Sequence, residues 1–258
     1  LPNGKISEDA CFHHDGQNFA KAYDIKFQNK EGKEEYAWQN THAISIRQLG
    51  GMLATHSDNK GLVLPPRIAP NKVVIVPVMF EKDKRVLEEA KKIKKKLSNL
   101  NPILDDRLDV RPGWKYNEWE LKGIPLRIEI GPRDLEKDSA MIAKRNDSQK
   151  EQVQISKIKE YVGEKLEEMQ DELRDSAKKM LEKNMAKTED KKELSKMIKN
   201  KKMVRIPMCN QEKCEDILKD ENAGTKTLFI DDNEPVKGKK CLFCNKDASY
   251  LVYVGKTY

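Results

Sequence analysis

The apolar positions of this chain change their spacing from segment to segment, and each spacing predicts an element. Val73-Val74-Ile75-Val76-Pro77-Val78 is an unbroken apolar run, the pattern of a strand buried on both faces of a sheet. Over residues 81–97, Val86, Leu87, Ala90, Ile93 and Leu97 line one side of an amphipathic helix. Further short strands are expected at 102–104, 126–130 and 140–144, so the middle of the chain reads as a small α/β domain with a βαβ pattern. Ile158, Val162, Leu166, Met169, Leu173, Ala177 and Met180 then recur every three or four residues, which predicts one long helix. Its Lys and Glu residues are read as a solvated face. A second, Lys-rich helical segment is expected over 189–202, and from Met203 onward short strands and turns.

The pattern ahead of Val73 is weaker. Residues 24–27 and 35–38 read as two strands, and Asn29-Lys30-Glu31-Gly32-Lys33 between them is turn-forming, so a hairpin is expected. Spacing becomes helical over 44–56, with Leu49, Met52 and Leu53 apolar. Leu64-Pro65-Pro66 marks a boundary, because proline fixes its own φ and forces its predecessor into extended geometry.

Composition narrows the class. Charged residues make up 36% of the chain and mean hydropathy is −0.82, yet the apolar runs persist, which excludes wholesale disorder. Fifty Lys and Arg against 43 Asp and Glu leave a net charge of +7, which favours a polyanionic partner, nucleic acid first, although the surplus is spread among opposite charges. No apolar stretch approaches the ~20 residues a bilayer requires, and no apolar segment follows a basic start. A cytoplasmic chain without a membrane partner is expected. Leu1 opens the chain in an extended Gly/Pro context, so the chain is expected to begin partway through a longer polypeptide.

Four of the five cysteines form two close pairs, Cys209 with Cys214 and Cys241 with Cys244, while Cys11 stands alone. Pairs so spaced in a reducing compartment hold zinc more often than disulfides, and two turns can present four thiolates as a tetrahedron. A redox pair or four plain thiols is the competing reading. His13 and His14 are adjacent, and neighbours in an extended segment face opposite ways, so one ion is poorly served by both. Arg47 sits where a strand meets a helix, a place from which a guanidinium can grip phosphate. In Pro112-Gly113-Trp114-Lys115-Tyr116-Asn117-Glu118-Trp119-Glu120-Leu121-Lys122-Gly123, aromatic rings alternate with charges. That combination suits the stacking and edge recognition of unpaired RNA bases, with a carboxylate such as Glu120 accepting from a guanine N1/N2 edge; helix packing is the alternative role for Trp114 and Trp119.

Together these segments resemble a known family. His13 to Phe19 followed by Ala20-Lys21, the run Gly61-Leu62-Val63-Leu64-Pro65-Pro66-Arg67-Ile68-Ala69-Pro70, Trp119-Glu120-Leu121-Lys122-Gly123, Gly131-Pro132-Arg133-Asp134, the cysteine pairs and the terminal Tyr258 are similar to prolyl-tRNA synthetases of the archaeal and eukaryotic type. The resemblance covers essentially the whole chain. It implies an α/β and α+β multidomain fold: the end of a class II antiparallel-sheet catalytic domain over 1–66, an α/β anticodon-binding domain over 67–155, and a long helix with a C-terminal α+β zinc domain over 156–258. The implied activity is ATP-dependent activation of proline and its transfer to the 3′ end of proline tRNA, with Mg²⁺ and a structural Zn²⁺, in a homodimer of the full-length protein. Family motifs 1 and 2 lie outside this chain, so the chain alone is expected to be inactive. A tRNA-binding relative that reads the anticodon but has lost amino-acid activation is the alternative.

Carried over by position, the resemblance makes His13 a proline-pocket histidine, puts Glu8, Cys11, Ser45 and Arg47 at the nucleotide, and puts Lys115, Trp119, Glu120, Lys122 and Arg133 at the anticodon. Cys209, Cys214, Cys241 and Cys244 become the zinc ligands, and the Tyr258 tail is expected to reach back towards the catalytic site. Several positions depart from the family pattern. Glu8 stands for glutamine, Cys11 for threonine, Phe12 for serine, Asp15 for leucine and Ile46 for threonine, and Asn40-Thr41-His42-Ala43 replaces a segment that carries a tryptophan. The departures cluster at the proline and nucleotide pockets, whereas the anticodon segment is almost unaltered.

Overall fold

In the computed structural model, which describes residues 1–222 and 224–257, the weakly patterned start of the chain forms β1 (Ala10–Gly16), α1 (Asn18–Ala22), β2 (Lys26–Gln28), β3 (Glu34–Tyr36), β4 (Gln39–Ile44) and α2 (Arg47–His56). β2 and β3 make the expected hairpin, and β1 pairs antiparallel with β4. The helix begins at Arg47 rather than at 44. Ile44 completes β4, and the Ser45 hydroxyl accepts from the Arg47 backbone N–H at 3.2 Å, which turns the chain into α2. The short α1 lacks the periodicity that would have announced it.

The chain divides into two compact units, Leu1–Met52 with Lys183–Tyr258, and Leu53–Glu182. The second unit carries β5 (Val73–Pro77), α3 (Lys84–Lys96), β6 (Ile103–Leu104), α4 (Pro112–Leu121), β7 (Leu126–Ile130), α5 (Pro132–Glu136), β8 (Ser139–Lys144) and β9 (Lys150–Gln154). It ends in most of α6 (Ile158–Asn184). Its sheet runs β6-β5-β7-β8-β9, with β6, β5 and β7 parallel and β8 and β9 antiparallel. All five residues of β5 are buried because both faces are covered. Val73 and Ile75 pack with Val86, Ala90 and Ile93 of α3 and Ile158, Val162 and Leu166 of α6, while Val74 and Val76 pack with Tyr116 and Trp119 of α4. This is strand alternation with both sides apolar. α3 starts at Lys84, later than the apolar spacing implies, because the Asp83 carboxylate caps it by accepting from the Arg85 N–H. β9 was not foreseen: it is an edge strand whose only buried residue is Val153, so its sequence is polar.

Beyond α6 the first unit resumes with β10 (Met185–Lys187), α7 (Lys191–Lys199), β11 (Met203–Met208), α8 (Glu212–Glu221), β12 (Lys226–Ile230) and β13 (Tyr250–Gly255). The sheet order is β10-β11-β13-β12, parallel between β10 and β11 and antiparallel elsewhere. Asp190 caps α7 through the Glu193 N–H. α8 stands where only strands and turns were expected. Its buried positions are Cys214 and Leu218, four apart, and a cysteine counted as a ligand hides that helical pair. The N-terminal segment joins this sheet, with the Ile6 N–H donating to the Lys256 carbonyl at 2.8 Å and Ile6 bridging Thr257. Tyr258, whose tail was expected to reach towards a catalytic site, lies outside the described residues.

Candidate functional site

The antiparallel pairing of β1 with β4 puts Cys11 opposite Ala43 and His13 opposite Thr41. Cys11 and His13, two residues apart, share one face of the strand. A cleft of about 340 Å³ opens there, lined by Glu8, Asp9, Cys11, His13, Ser45 and Arg47 among others. The five side chains assigned from the sequence to amino acid and nucleotide thus border one space. Arg47, the first residue of α2, is exposed and makes no ion pair with a described residue. The Ser45 N–H donates to the Asp9 carbonyl at 2.9 Å, closing one wall. His14 faces away, its Nδ1 2.7 Å from Asn40 Oδ1 and its ring stacked on Trp38, so the two histidines do not converge.

A second site forms where α4 ends and β7 begins. Glu120 Oε1 is 3.6 Å from Arg127 Nη1, and Arg127 pairs with Glu129 at 3.0 Å and lies 4.3 Å over the Tyr116 ring. Lys150 reaches the same Glu129 at 2.9 Å and lies 5.3 Å from Tyr116. The result is a row of alternating charges, Glu120, Arg127, Glu129 and Lys150, on a tyrosine platform. Burial pushes the Tyr116 phenol up, with the Glu129 charge adding to it, so the platform stays neutral. Sequence reasoning missed Arg127, Glu129 and Lys150. The signal was present for the first two: charged residues interrupt β7, an otherwise apolar strand.

Of the five residues assigned to the anticodon, two meet water readily. Lys122 is exposed, bridges Glu118 at 2.7 Å and covers the Trp119 ring at 4.5 Å. Arg133 is exposed on α5 with no ion-pair partner among the described residues, but it lies past the far end of β7 from Arg127 and does not join Glu120. Trp119 is half-buried, its indole N–H donating to Asp105 at 2.8 Å. Lys115, assigned to the anticodon from the sequence, is buried: its side chain is 2% exposed. The ammonium donates to the carbonyls of Asp105 at 3.0 Å and Arg107 at 2.5 Å and lies 3.7 Å from the Asp105 carboxylate. Its place on the inner face of α4 makes it a support for the loop below. Burial opposes ionising Asp105, but Arg107, Trp119 and Lys115 outweigh it and hold the carboxyl at about 2. Trp114, by contrast, is 68% exposed.

The four paired cysteines converge. Cys209 follows β11, Cys214 lies in the first turn of α8, and Cys241 and Cys244 share a tight turn closed by the Asn245 N–H on the Cys241 carbonyl at 3.0 Å. The expectation of two turns therefore holds for the second pair only. The sulfurs all lie within 4.8 Å of one another, with Cys209 3.5 Å from Cys214 and 3.6 Å from Cys244. These distances exceed the ~2 Å of a disulfide and suit a tetrahedron with ~2.3 Å metal–sulfur bonds, whose edges are ~3.8 Å. Burial pushes the Cys209 and Cys214 thiols up. Burial also works against ionising Cys241, but the backbone N–H groups of Cys244 and Phe243 outweigh it and bring that thiol down to about 6. A soft four-thiol set, three of its members buried and Cys244 partly so, is compatible with zinc. Cys11 is elsewhere, in the cleft.

Two family models match the chain: "Anticodon binding domain" over residues 72–165, and "Prolyl-tRNA synthetase, C-terminal" over residues 191–258. The chain is 38% identical to a proline–tRNA ligase of Methanococcoides burtonii, 32% to one of Ignicoccus hospitalis and 38% to one of Clostridium botulinum. Each alignment takes in all of this chain and 54%, 55% and 54% of the respective relative. An anticodon-binding α/β domain followed by a four-cysteine C-terminal domain is an arrangement similar to that of aminoacyl-tRNA synthetases. Residues 191–258 belong to the prolyl-tRNA synthetase C-terminal family, and these three relatives, which align with the whole chain, are proline–tRNA ligases. The chain spans about half the length of the curated relatives it matches.

Proposed function

We propose that this chain serves an ATP-dependent proline–tRNA ligase that activates proline and transfers it to the 3′ end of proline tRNA. The observation that carries the proposal is the shared cleft of Glu8, Cys11, His13, Ser45 and Arg47, residues from β1, α2 and the connecting chain that the family resemblance assigns to one reaction. Arg47 would stabilise phosphate charge as pyrophosphate leaves, its guanidinium being uncommitted to any described carboxylate. His13 would orient proline and Ser45 the nucleotide; the gain is positional, since reactants held in register need little further chemistry from the protein. Glu8 and Asp9, the two carboxylates that line the cleft, would hold Mg²⁺, which would screen the phosphates.

The three-part division at 1–66, 67–155 and 156–258 is proposed on the same grounds, although Leu1–Met52 shares a compact unit with Lys183–Tyr258. A place for β1 and β4 at the end of a larger catalytic sheet is supported by their exposure: Phe12 and Ile44 stand in solvent. The anticodon is proposed to meet Glu120, Lys122 and Trp119 together with Arg127 and Lys150, with Lys115 positioning them and Arg133 contacting RNA further along. The four cysteines are proposed to hold a structural Zn²⁺, since four thiolates leave no coordination position open for a substrate. The Lys256 carbonyl, bonded to Ile6 two residues before Glu8, supports a C-terminal tail that approaches the cleft. The full-length protein is proposed to be a cytoplasmic homodimer; among the described residues no helix is long and apolar enough to cross a membrane.

The test is ATP–pyrophosphate exchange by the full-length protein across the twenty amino acids. Exchange with proline alone is expected, and exchange with none overturns the ligase. The relative that binds tRNA without activating proline predicts that second result. The assembled cleft and the ligase names of the relatives favour the first.

A further inference from the structure

Arg145 follows β8 directly, and its side chain is 2% exposed. A guanidinium so buried is tolerated only when its donors are engaged. Nη1 and Nη2 donate to the two oxygens of Asp58 at 2.8 and 2.7 Å, and Nε donates to the backbone carbonyl of Glu120 at 2.9 Å. That carbonyl is among the last of α4, where a cation meets the negative end of the dipole, and it also accepts from the Gly123 N–H at 3.1 Å.

Asp58 is itself fixed. Its carboxylate also accepts from the Lys60 N–H at 2.8 Å, and its backbone exchanges hydrogen bonds with Gly61 at 3.1 and 3.2 Å. That turn is pressed against the end of α4. The Leu62 N–H donates to the Leu121 carbonyl at 3.0 Å. A Cβ on Gly61 (φ +134°) would fall 2.5 Å from Leu121 Cα, and one on Gly123 (φ +74°) would fall 2.7 Å from Leu62 Cβ. Three stretches distant in sequence therefore lock together where the Glu120 side chain leaves its helix.

We propose that Arg145 and Asp58 form a latch that positions Glu120 for reading a base edge, an inference that rests on the reading of Glu120 as an RNA contact. Both act through position, because Arg145 is too deeply buried to meet RNA. The latch holds the carbonyl of the residue whose carboxylate faces Arg127, so loosening it moves the carboxylate relative to the charge row. A carboxylate that accepts from guanine N1 and N2 distinguishes guanine from inosine, which lacks the N2 amino group. The latch is thus a determinant of specificity more than of affinity.

The experiment measures binding of proline tRNA, and of the same tRNA with inosine replacing the anticodon guanines, to the intact protein. The variants are Arg145→Lys, Asp58→Asn, Glu120→Gln and the double variants with Glu120→Gln. Asp58→Asn is near-isosteric and keeps the turn, so it serves if Arg145→Lys does not fold. Glu120→Gln should lose most of the guanine-over-inosine preference. Each latch variant should lose at least about fivefold of that preference, and the doubles should lose no more than Glu120→Gln alone. A merely structural latch would weaken both RNAs equally or add to Glu120→Gln, and either result overturns the proposal. Preference lost in Glu120→Gln but kept in Asp58→Asn sinks the latch alone. A Glu120→Gln protein with unaltered preference removes the reading of Glu120 and the latch with it.

Discussion

In Leu53–Glu182 every residue of β5 is buried and helices cover both faces of the sheet, whereas in the first unit no residue of β1 or β4 is buried. Phe12, Trp38, Ile44 and Ile46 are exposed there as few apolar residues are in the other unit. Their burial contributes nothing to the stability of this chain, while the aliphatic layer around Ile75 and Ile128 supplies most of what holds the α/β domain. The remainder of the first unit relies on a small core into which the four sulfurs are built. The difference separates the two halves of the proposed function. Anticodon reading rests on a domain that completes its own core; the cleft rests on strands whose faces lie open.

The largest effect expected from this contrast is at the thiols. A strong chelator, or Cys214→Ala, should abolish the thermal transition of the C-terminal module, since structural zinc is worth on the order of 10 kcal/mol to such domains. The transition of Leu53–Glu182 should stay where it is; a shift of both would dissolve the contrast. Next in size, Ile128→Ala should cost about 2–5 kcal/mol in denaturant unfolding, as buried aliphatic truncations do, whereas Ile44→Ala should cost no more than about 0.5 kcal/mol. Equal costs would show that β4 is supported after all.

Acid should act on the α/β domain through Asp105. Pairing holds this carboxyl at about 2 in the folded state, below its unfolded value near 3.8. Its contribution, on the order of 2 kcal/mol, is therefore complete above about pH 4 and disappears as pH falls towards 2. Asp58, held at about 2 chiefly by the Arg145 hydrogen bonds, follows the same sign with a smaller effect because it is more exposed. Urea midpoints from pH 6 to 2 should fall accordingly, and Asp105→Asn should flatten the curve. The smallest effect is expected at Lys122→Ala, where an exposed cation is removed from the proposed RNA surface. Binding of proline tRNA should weaken about threefold to tenfold, the salt slope should drop by about one, and the melting temperature should hold.

Much of the α/β domain was legible because its elements are repetitive. The unbroken run at Val73 and the spacing from Ile158 to Leu173 each match a single element, and burial followed them. The cysteine spacing announced the four-sulfur cluster in the same way. Legibility failed where a side chain served two purposes or its neighbours came from afar. Cys214 hid α8 by reading as a ligand, and Lys115 read as a surface cation because its sequence neighbours are polar.

By itself, then, the sequence determined the α/β and C-terminal modules, the four-cysteine cluster and the family resemblance, all of which depend on local periodicity and short-range spacing. Only the tertiary structure decided which charges meet. Lys115 turned inward because two carbonyls and a carboxylate of the loop below it receive the ammonium. Arg127, Glu129 and Lys150 joined Glu120 because strand pairing and helix packing bring them into reach. Arg145 found Asp58 across 87 positions for the same reason: a buried guanidinium takes the partners the fold supplies, and sequence distance plays no part in that choice.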